Sequence, residues 1–190
     1  MRRTIRRAWG WFGLALLVTA VPGAVAGAAA DTPPVFPPPV PNISAENRAV
    51  LDPWTGRWAG SFVVYAPDGA AVTRLTVEQH YRWDGSRQRA TFEETDGAGN
   101  VVTAEATNYQ GADGRLVCTV VKSTGERSLH FGRVTDGYLF WSADRPGTRE
   151  TFRERVEVGD DGVRRYAIDG FGVYGDDAYL FAGSYREVPD

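Results

Sequence analysis

Cysteine is almost absent from this chain, since Cys118 is the only one among 190 residues. A single cysteine excludes an internal disulfide and a cysteine-based zinc cluster. Cys118 lies in the stretch RLVCTVV and alternates with Leu116 and Val120, a pattern that predicts a buried structural thiol. The stability of the domain is therefore expected to come from an apolar core.

Lysine and histidine are nearly as scarce. Lys122 is the only lysine, and the two histidines, His80 and His130, are too few for a histidine-built metal site. Motifs of serine hydrolases, P-loop NTPases, EF-hands and zinc peptidases are missing as well. We therefore predict no catalytic motif residue and no metal site from the sequence.

Positive charge is concentrated in the first 30 residues, which hold Arg2, Arg3, Arg6 and Arg7 and no acid. An apolar run from residue 9 to 21 follows, then PGAVAGAAA, which offers small-residue cleavage sites after Ala26 or Ala30. This order is typical of a secretory signal peptide over residues 1–30. The apolar run is shorter than the roughly 20 residues that span a bilayer, although a retained N-terminal anchor is the alternative.

The rest of the chain is acidic. Without residues 1–30 it holds 17 basic and 24 acidic residues, a net charge of −7. We expect an exported protein, periplasmic or extracellular, that binds no nucleic acid and does not insert stably in a membrane after signal cleavage. The export route, general or twin-arginine, stays open.

Proline dominates residues 31–43, which read DTPPVFPPPVPNI and predict an extended polyproline linker. Ser44 then stands as an N-cap before good helix formers, and Asp52-Pro53 ends the predicted helix. Residues 44–190 are predicted to form one domain that begins with this short helix.

Regular turn signals, mostly Asp-Gly pairs, divide the remaining chain into alternating stretches. Nine turns imply ten strands, which we place at residues 57–66, 71–83, 87–95, 101–109, 115–122, 127–135, 138–143, 148–158, 163–174 and 178–188. No segment after Pro53 shows a sustained helical period, so neighbouring strands should be antiparallel. The predicted fold class is all-β, an antiparallel up-and-down barrel of about ten strands preceded by a short helix.

Closure into a barrel follows from the alternation itself. In TRLTVEQHYRW, Leu75 and Val77 share one face with Tyr81 and Trp83, while His80 lies on the polar face. An open sheet with one buried face would expose two long edges, which closure removes. Ten strands leave room for a ligand. A two-sheet sandwich is the alternative.

The triplet Gly56-Arg57-Trp58 at the start of the first strand, after a helical lead-in, resembles the lipocalin and fatty-acid-binding (calycin) group. The resemblance implies that Gly56 and Trp58 are structural, with Trp58 plugging the closed end of the barrel. It also implies that an arginine of the last strand, here Arg186, packs across the indole. The strand number is closer to fatty-acid-binding and nitrobindin-like barrels, and to bacterial exported lipocalin-like domains.

The resemblance further implies a small apolar or amphipathic ligand in the barrel. Arg164 and Tyr166 form the Arg-x-Tyr pair that fatty-acid-binding barrels use for a ligand carboxylate, and Arg133 is the second candidate anchor. Nitrobindin-like barrels hold haem through one histidine, which makes His130 the candidate for a possible haem ligand. Otherwise no cofactor is expected.

Three acids fall on otherwise apolar faces: Glu94, Glu154 and Asp169. Interior carboxyls could contact a polar ligand or supply acid–base chemistry, as in an isomerase or cyclase, which is the alternative to a non-enzymatic binder. A register shifted by one residue would instead place them outside. A filled envelope module without ligand is the third hypothesis. The predicted cavity wall comprises Phe62, Val64, Leu75, Val77, Phe92, Leu116, Val120, Leu129, Phe131 and Phe171.

Overall fold

The computed structural model describes residues 36–145 and 148–189. The predicted signal peptide, the first part of the predicted linker and the Pro146-Gly147 turn lie outside these residues. A helix, α1 (Ala45–Leu51), and a 3₁₀ turn (Asp52–Trp54) precede ten strands. The strands are β1 (Gly56–Tyr65), β2 (Ala71–Asp84), β3 (Arg87–Asp96), β4 (Val101–Gln110), β5 (Leu116–Lys122), β6 (Arg127–Thr135), β7 (Tyr138–Arg145), β8 (Thr148–Val158), β9 (Arg164–Tyr174) and β10 (Asp177–Val188).

The ten strands form one closed antiparallel barrel. Each strand pairs with its neighbours in the chain, and β1 also pairs with β10 from Arg57 opposite Val188 to Tyr65 opposite Leu180. Both sheet edges are thereby removed, as the alternation of polar and apolar residues requires. The predicted fold class is confirmed, and the sandwich alternative is wrong.

Tight turns make this meander possible. In the β6–β7 turn, Asp136 and Gly137 both have positive φ, 52° and 77°. This is the backbone of a type I′ hairpin turn, whose twist matches that of the flanking strands. The Asp-Gly signal in the sequence therefore marked a conformation that few other residue pairs adopt.

The short helix closes one end of the barrel, called here the helix end. Ser44 Oγ accepts a hydrogen bond from the Asn47 N–H at 3.2 Å, and the α-helix ends at Leu51, two residues before Pro53 in the 3₁₀ turn. Leu51 at the C-terminus of α1 is 1% exposed and points into the barrel. Strands β1, β3, β5, β7 and β9 begin at this end and finish at the opposite end, called here the distal end.

Part of the predicted linker lies against the outer wall. The backbone N–H of Val40 donates to the Gln110 carbonyl at 2.9 Å, and the Tyr109 hydroxyl donates to the Pro37 carbonyl at 2.6 Å. The Arg127 guanidinium lies 4.9 Å from the ring centre of Phe36. Residues 36–43, called here the strap, therefore cover the outside of β4 to β6.

No helix within residues 36–145 and 148–189 is long and apolar enough to cross a membrane.

The inner wall carries the large apolar side chains. Phe181 stacks between Phe62 and Phe152, at ring-centre distances of 5.9 and 5.3 Å. Gly132 leaves the room that Trp141 occupies, because a Cβ there would lie 2.6 Å from the indole ring. Aromatic packing of this kind fills much of the barrel interior.

Three residues predicted for the cavity wall point outward instead, which corrects that list. Phe171 pairs with Leu180 on the outer face and is 44% exposed. Leu129 and Phe131 alternate with His130, which is 4% exposed inside the barrel. The Arg115 guanidinium lies 4.0 Å from the Phe131 ring centre, so Phe131 has a favourable contact on the outer face of the barrel.

Candidate ligand-binding cavity

The helix end is plugged by Trp58. Its side chain is 1% exposed, its indole N–H donates to the Trp54 carbonyl at 2.7 Å, and the Tyr166 ring meets it edge-on at 5.8 Å. The guanidinium that packs over the indole belongs to Arg164, whose Cζ lies 5.2 Å from the ring centre. A cation over an aromatic face is favourable, and here it also covers the plug.

Arg186 is therefore not the covering arginine, and that prediction is corrected. Arg186 follows Tyr185, which is 1% exposed inside the barrel, so the alternation of β10 turns Arg186 outward. Its side chain is 66% exposed and lies 3.6 Å from Asp161. An ion pair this exposed contributes little to stability.

Arg164 is also displaced from its predicted role as a carboxylate anchor. It donates to Glu187, to the Pro53 carbonyl at 3.0 Å and to the Thr55 carbonyl at 3.0 Å. Gly56, with a φ of 124°, accommodates the arginine, because a Cβ at that position would lie 3.0 Å from Arg164 Nη2. These contacts place Arg164 in the closure of the barrel rather than at a ligand.

A cavity of about 70 Å³ lies inside the barrel, between the helix end and the centre. Its wall combines aromatic and small apolar residues with polar ones. The lining residues are Leu51, Trp54, Gln79, Tyr81, Phe92, Glu94, Ala104, Ala106, Asn108, Cys118, Val120, His130, Leu139, Trp141, Phe152, Glu154, Tyr166, Ile168 and Tyr185. Few, well-placed polar groups in an apolar wall are typical of small-molecule sites.

Glu154 is the central ionisable group of this cavity. It pairs with Leu139 on one side and Ile168 on the other, and the Trp141 indole and the Tyr166 hydroxyl act on its carboxyl. Burial raises the pKa of the carboxyl to about 7, against the lowering effect of these two groups. Glu154 keeps some accessible surface because it lines the cavity, yet the barrel encloses it.

Three tyrosines and one cysteine around Glu154 are neutral near pH 7. Burial raises the pKa of the hydroxyls of Tyr81, Tyr166 and Tyr185, and likewise that of the Cys118 thiol. Cys118 is partly buried and lines the cavity, so its thiol is an uncharged part of the wall.

Hydrogen bonds fix the orientation of two buried amides beside the cavity. The Leu51 carbonyl accepts from Gln88 Nε2 at 2.7 Å, so Gln88 presents its oxygen to Asn108 Nδ2, which donates at 3.1 Å. The Asn108 Oδ1 atom is then left buried and without a protein partner. This series of hydrogen bonds therefore determines which side-chain atom of Asn108 is oxygen and which is nitrogen.

Two further cavity residues carry buried polar atoms without a partner. They are Gln79, through Oε1, and Trp54, through its indole N–H. Each such atom costs about 1–3 kcal/mol if nothing satisfies it. One donor and two acceptors thus line a single cavity together with the Glu154 carboxyl.

An apolar groove of about 190 Å³ adjoins the cavity at the helix end. Trp54 and Leu139 line both spaces and therefore separate them. The groove runs between α1 with its 3₁₀ turn and the β6–β7 hairpin, and its lining residues are Ala49, Val50, Pro53, Trp54, Val134, Gly137, Tyr138, Leu139 and Val156. Val156 is two residues from Glu154 on the same face of β8, so the groove lies close to the carboxyl.

A second interior polar group, the distal network, consists of His130, Glu150, Tyr174, Lys122 and Glu126. Glu150 is 1% exposed, contacts His130 Nε2 at 2.7 Å and accepts from the Tyr174 hydroxyl at 2.5 Å. Lys122 Nζ lies 3.3 Å from Glu126, and burial lowers the pKa of the lysine. Each of these side chains has a polar or charged partner within the network.

His130 does not fit the role of a haem ligand. Its Nε2 is engaged by Glu150, and Phe152 packs edge-on against the ring at 5.8 Å. The cavity of about 70 Å³ is also far below the 300–1,000 Å³ or so that larger ligands occupy. Among the residues that the structure describes, no group of three His, Cys, Asp or Glu side chains is placed to hold a metal ion.

The remaining predicted residues divide between the two faces. Tyr166 and Glu94 lie inside, 2% and 3% exposed. Arg133 pairs with Phe140 on the outer face and is exposed, so its predicted place as a ligand anchor is corrected. Asp169 also points outward, where it forms an ion pair with Arg153 at 3.0 Å.

Sequence reasoning missed Glu150 and the amides of Gln79, Gln88 and Asn108. A signal existed for Glu150, since it precedes Phe152 by two residues on the face already assigned to the interior. The amides gave no such signal, because Gln and Asn are equally common on the wet face of a strand.

Comparison with known proteins identifies the fold. No protein-family model matches the chain, and no curated protein matches its sequence. The S-type phycobiliprotein lyase CPES from Guillardia theta matches with a TM-score of 0.53 at 10% identity, over 75% of this chain and 92% of that one. Rv2717c from M. tuberculosis matches with a TM-score of 0.51 at 14% identity, over 78% of this chain and 100% of that one.

Identities this low establish the fold alone. Both structures match the closed meander of this chain with TM-scores above 0.5. The chain has a calycin-like, lipocalin-type barrel fold.

Proposed function

We propose that this protein binds a small amphipathic molecule, with its polar end in the cavity and its apolar part in the adjoining groove. The observation that carries the proposal is the set of buried polar atoms without a protein partner at Trp54, Gln79 and Asn108, all in one cavity wall. Buried polar groups are satisfied in folded proteins, so a molecule that enters this cavity supplies the missing bonds.

The size of the cavity limits what enters it. About 70 Å³ is roughly half of the ~150 Å³ apolar cavity that takes up benzene. The cavity therefore holds a small polar group, whereas a ring or alkyl part belongs in the groove of about 190 Å³ beyond Trp54 and Leu139. Movement of these two side chains would join the two spaces.

We place this binding function outside the cytoplasm. The support is the sequence of residues 1–30, with its basic start, its apolar run of limited length and its small-residue cleavage sites. The single cysteine and the acidic mature chain are compatible with an exported protein that captures a small molecule, and the net charge of −7 gives no attraction to nucleic acid.

Two matched alanine positions test the site. Ala106 is 4% exposed and lines the cavity, whereas Ala167 is exposed on the outer face of β9. In the wild type, small aromatic probes such as benzyl alcohol should shift the indole N–H resonance of Trp54, assigned with Trp54→Phe. Ala106→Leu should abolish this shift because it fills the cavity, whereas Ala167→Leu should leave it unchanged.

Native mass spectrometry of the purified protein gives an independent reading of any bound molecule. A protein that shows neither a co-purifying ligand nor a probe-induced shift at Trp54 would leave only the role of a structural module.

A second candidate function is acid–base catalysis in the same cavity. It is favoured by the pKa of about 7 at Glu154, in a wall that also holds Glu94 and His130. Exchange of α-hydrogens of a small ketone such as phenylacetone in deuterated water would report it. Catalysis predicts exchange that Glu154→Gln abolishes, and a pure binder predicts none above the buffer rate.

A further inference from the structure

Glu154 differs in its partners from two other interior acids, Glu150 and Glu126. Glu150 contacts His130 and Tyr174, and Glu126 lies beside Lys122. Within residues 36–145 and 148–189, the groups that act on the Glu154 carboxyl are neutral, namely the Trp141 indole and the Tyr166 hydroxyl. A buried carboxylate is normally paired, so this carboxyl lacks the partner that stabilises its charged form.

The rest of the wall suits a positive charge. Aromatic rings of Trp54, Tyr81, Phe92, Trp141 and Tyr185 line the cavity, and aromatic side chains are common neighbours of bound cations. No arginine and no lysine is among the residues that line it. Glu94, which also lines the cavity, adds a second acid.

The number of acceptors matches an ammonium group. The cavity supplies the Glu154 carboxyl, Gln79 Oε1 and Asn108 Oδ1, the last two of which have no protein partner. A protonated primary amine carries three N–H donors and no acceptor, so it matches these three acceptors but not the Trp54 indole N–H, which is itself a donor. A carboxylate ligand, by contrast, would meet an acid and two amide oxygens.

From this geometry, and resting on the proposed function, we propose that the ligand is a cationic amphiphile: a primary amine whose ammonium group pairs with Glu154 inside the barrel while its apolar part occupies the groove. The charge and the hydrogen bonds then give the polar end its orientation. The groove gives the body of the ligand an apolar surface without charged residues in its lining.

The groups that face Glu154 define the expected pH dependence. They are Tyr166 on β9, Tyr81 on β2, Tyr185 on β10 and Cys118 on β5, all with raised pKa values, together with His130 on β6 and Glu94 on β3, which line the same cavity. The hydroxyls and the thiol stay neutral near pH 7. Glu154, with a pKa of about 7, is protonated below that pH and charged above it.

Three probes of one shape test the proposal: benzylamine, benzyl alcohol and benzoate. At about pH 8, benzylamine should bind the wild type at least about tenfold more tightly than benzyl alcohol, and benzoate should bind most weakly. At about pH 6 the affinity for benzylamine should fall about tenfold, because only the ionised fraction of Glu154 is competent. Affinity for the alcohol should change little.

Glu154→Gln should remove both the preference for the amine and its pH dependence. Glu78→Gln, at an exposed position on the outer face of β2, is the control for an unspecific loss of charge and should behave like the wild type. Retention of the pH dependence in Glu154→Gln would assign it to another group and overturn the role of Glu154.

The outcomes separate the two proposals. Benzyl alcohol or benzoate binding as tightly as benzylamine to the wild type at about pH 8 would overturn the cationic ligand and leave the binding function standing. Failure of all three probes to bind would overturn the binding function itself. The wild-type series decides between these results even if a variant folds poorly.

Discussion

The cavity and the distal network occupy the same barrel interior, yet their polar groups differ in how many of their hydrogen bonds are made within the protein. In the distal network, Glu150 is bonded to both His130 and Tyr174, and Lys122 lies beside Glu126. Around the cavity, the Glu154 carboxyl meets neutral groups among the described residues, and Gln79 and Asn108 each leave an amide oxygen without a partner there. Satisfied polar groups stabilise an interior, whereas buried polar atoms without a partner require an explanation, which under the proposed function is a ligand.

The difference assigns separate roles to the two parts of the interior. The distal network, with the stack of Phe62, Phe181 and Phe152, holds that end of the barrel together. The helix end combines a plug, Trp58, with the cavity and groove beneath the short helix. We expect substitutions to affect stability at the network and the plug, and ligand binding at the cavity.

The largest stability effect is expected at the plug. Trp58→Ala should lower the free energy of unfolding by about 3–5 kcal/mol, because it removes a buried indole, its hydrogen bond to Trp54 and the surface that Arg164 covers. Urea denaturation followed by circular dichroism measures this. A loss below about 1 kcal/mol would show that the helix end is not closed by this residue.

Breaking the distal network should have the next largest effect. Glu150→Ala leaves His130 and Tyr174 without their shared acceptor inside the barrel, which should cost about 3 kcal/mol in the same denaturation experiment. Glu105→Ala, at an exposed position on β4, is the control and should stay close to the wild type. Equal midpoints for the two variants would contradict a stabilising network.

A smaller difference in stability is expected between alanine variants of Arg164 and Arg186, the two arginines considered as the cover of Trp58. Arg164→Ala removes the contact with Trp58 and the bonds to Glu187 and two carbonyls, and should cost about 1–3 kcal/mol. Arg186→Ala removes an exposed ion pair and should change stability by less than about 0.5 kcal/mol. The reverse order of thermal midpoints would restore Arg186 as the covering residue.

The smallest effect compares two tryptophans. Trp58→Phe loses the hydrogen bond to the Trp54 carbonyl, whereas Trp54→Phe removes an N–H that has no protein partner. Trp58→Phe should therefore be the more destabilising variant by about 1 kcal/mol. Denaturant midpoints that coincide would mean that the indole N–H of Trp54 is satisfied in solution, for example by water.

The fold was largely predictable because its signals are local. Alternation and Asp-Gly turns placed strand limits within about two residues, as in β1 (Gly56–Tyr65) against the predicted 57–66. The faces of β2 were also assigned correctly, with Leu75 and Val77 inside. Local pairing of successive strands is all that an up-and-down meander requires.

The face assignments failed where the partner of a strand is not visible in its own sequence. On β9, Phe171 lies outside while Gly170 and Gly172 lie inside, because the inner wall there needs room: a Cβ on Gly170 would lie 2.1 Å from the Thr151 carbonyl oxygen. On β6, Leu129 and Phe131 are outward-facing apolar residues on a wall that the strap and Arg115 partly cover.

The site was only partly predictable for a related reason. Glu94, Glu154, Tyr166 and His130 were identified as interior candidates, since acids and aromatics on apolar faces stand out. Which of them is paired depends on contacts between strands distant in the chain, such as His130 with Glu150, and alternation within one strand carries no information on such pairs.

One pair of substitutions tests the contrast between network and cavity most directly: the same change, Glu to Gln, at Glu150 and at Glu154. The folded pKa of Glu154 is about 7, above the ordinary 4.5, so its ionisation lowers stability as the pH rises through this range, by about 3 kcal/mol in total. Glu154→Gln should therefore be more stable than the wild type at about pH 8, with this gain disappearing below about pH 5.

Glu150→Gln should be less stable than the wild type at about pH 8, by about 1–3 kcal/mol, because an NH2 group replaces one of the two carboxyl oxygens that contact His130 and Tyr174. The measurement is the free energy of unfolding of the wild type and both variants at about pH 8 in urea. Opposite signs are expected at the two positions. Destabilisation of similar size by both variants would contradict this expectation, because Glu154 would then be a structural carboxyl like Glu150 rather than one kept for a ligand.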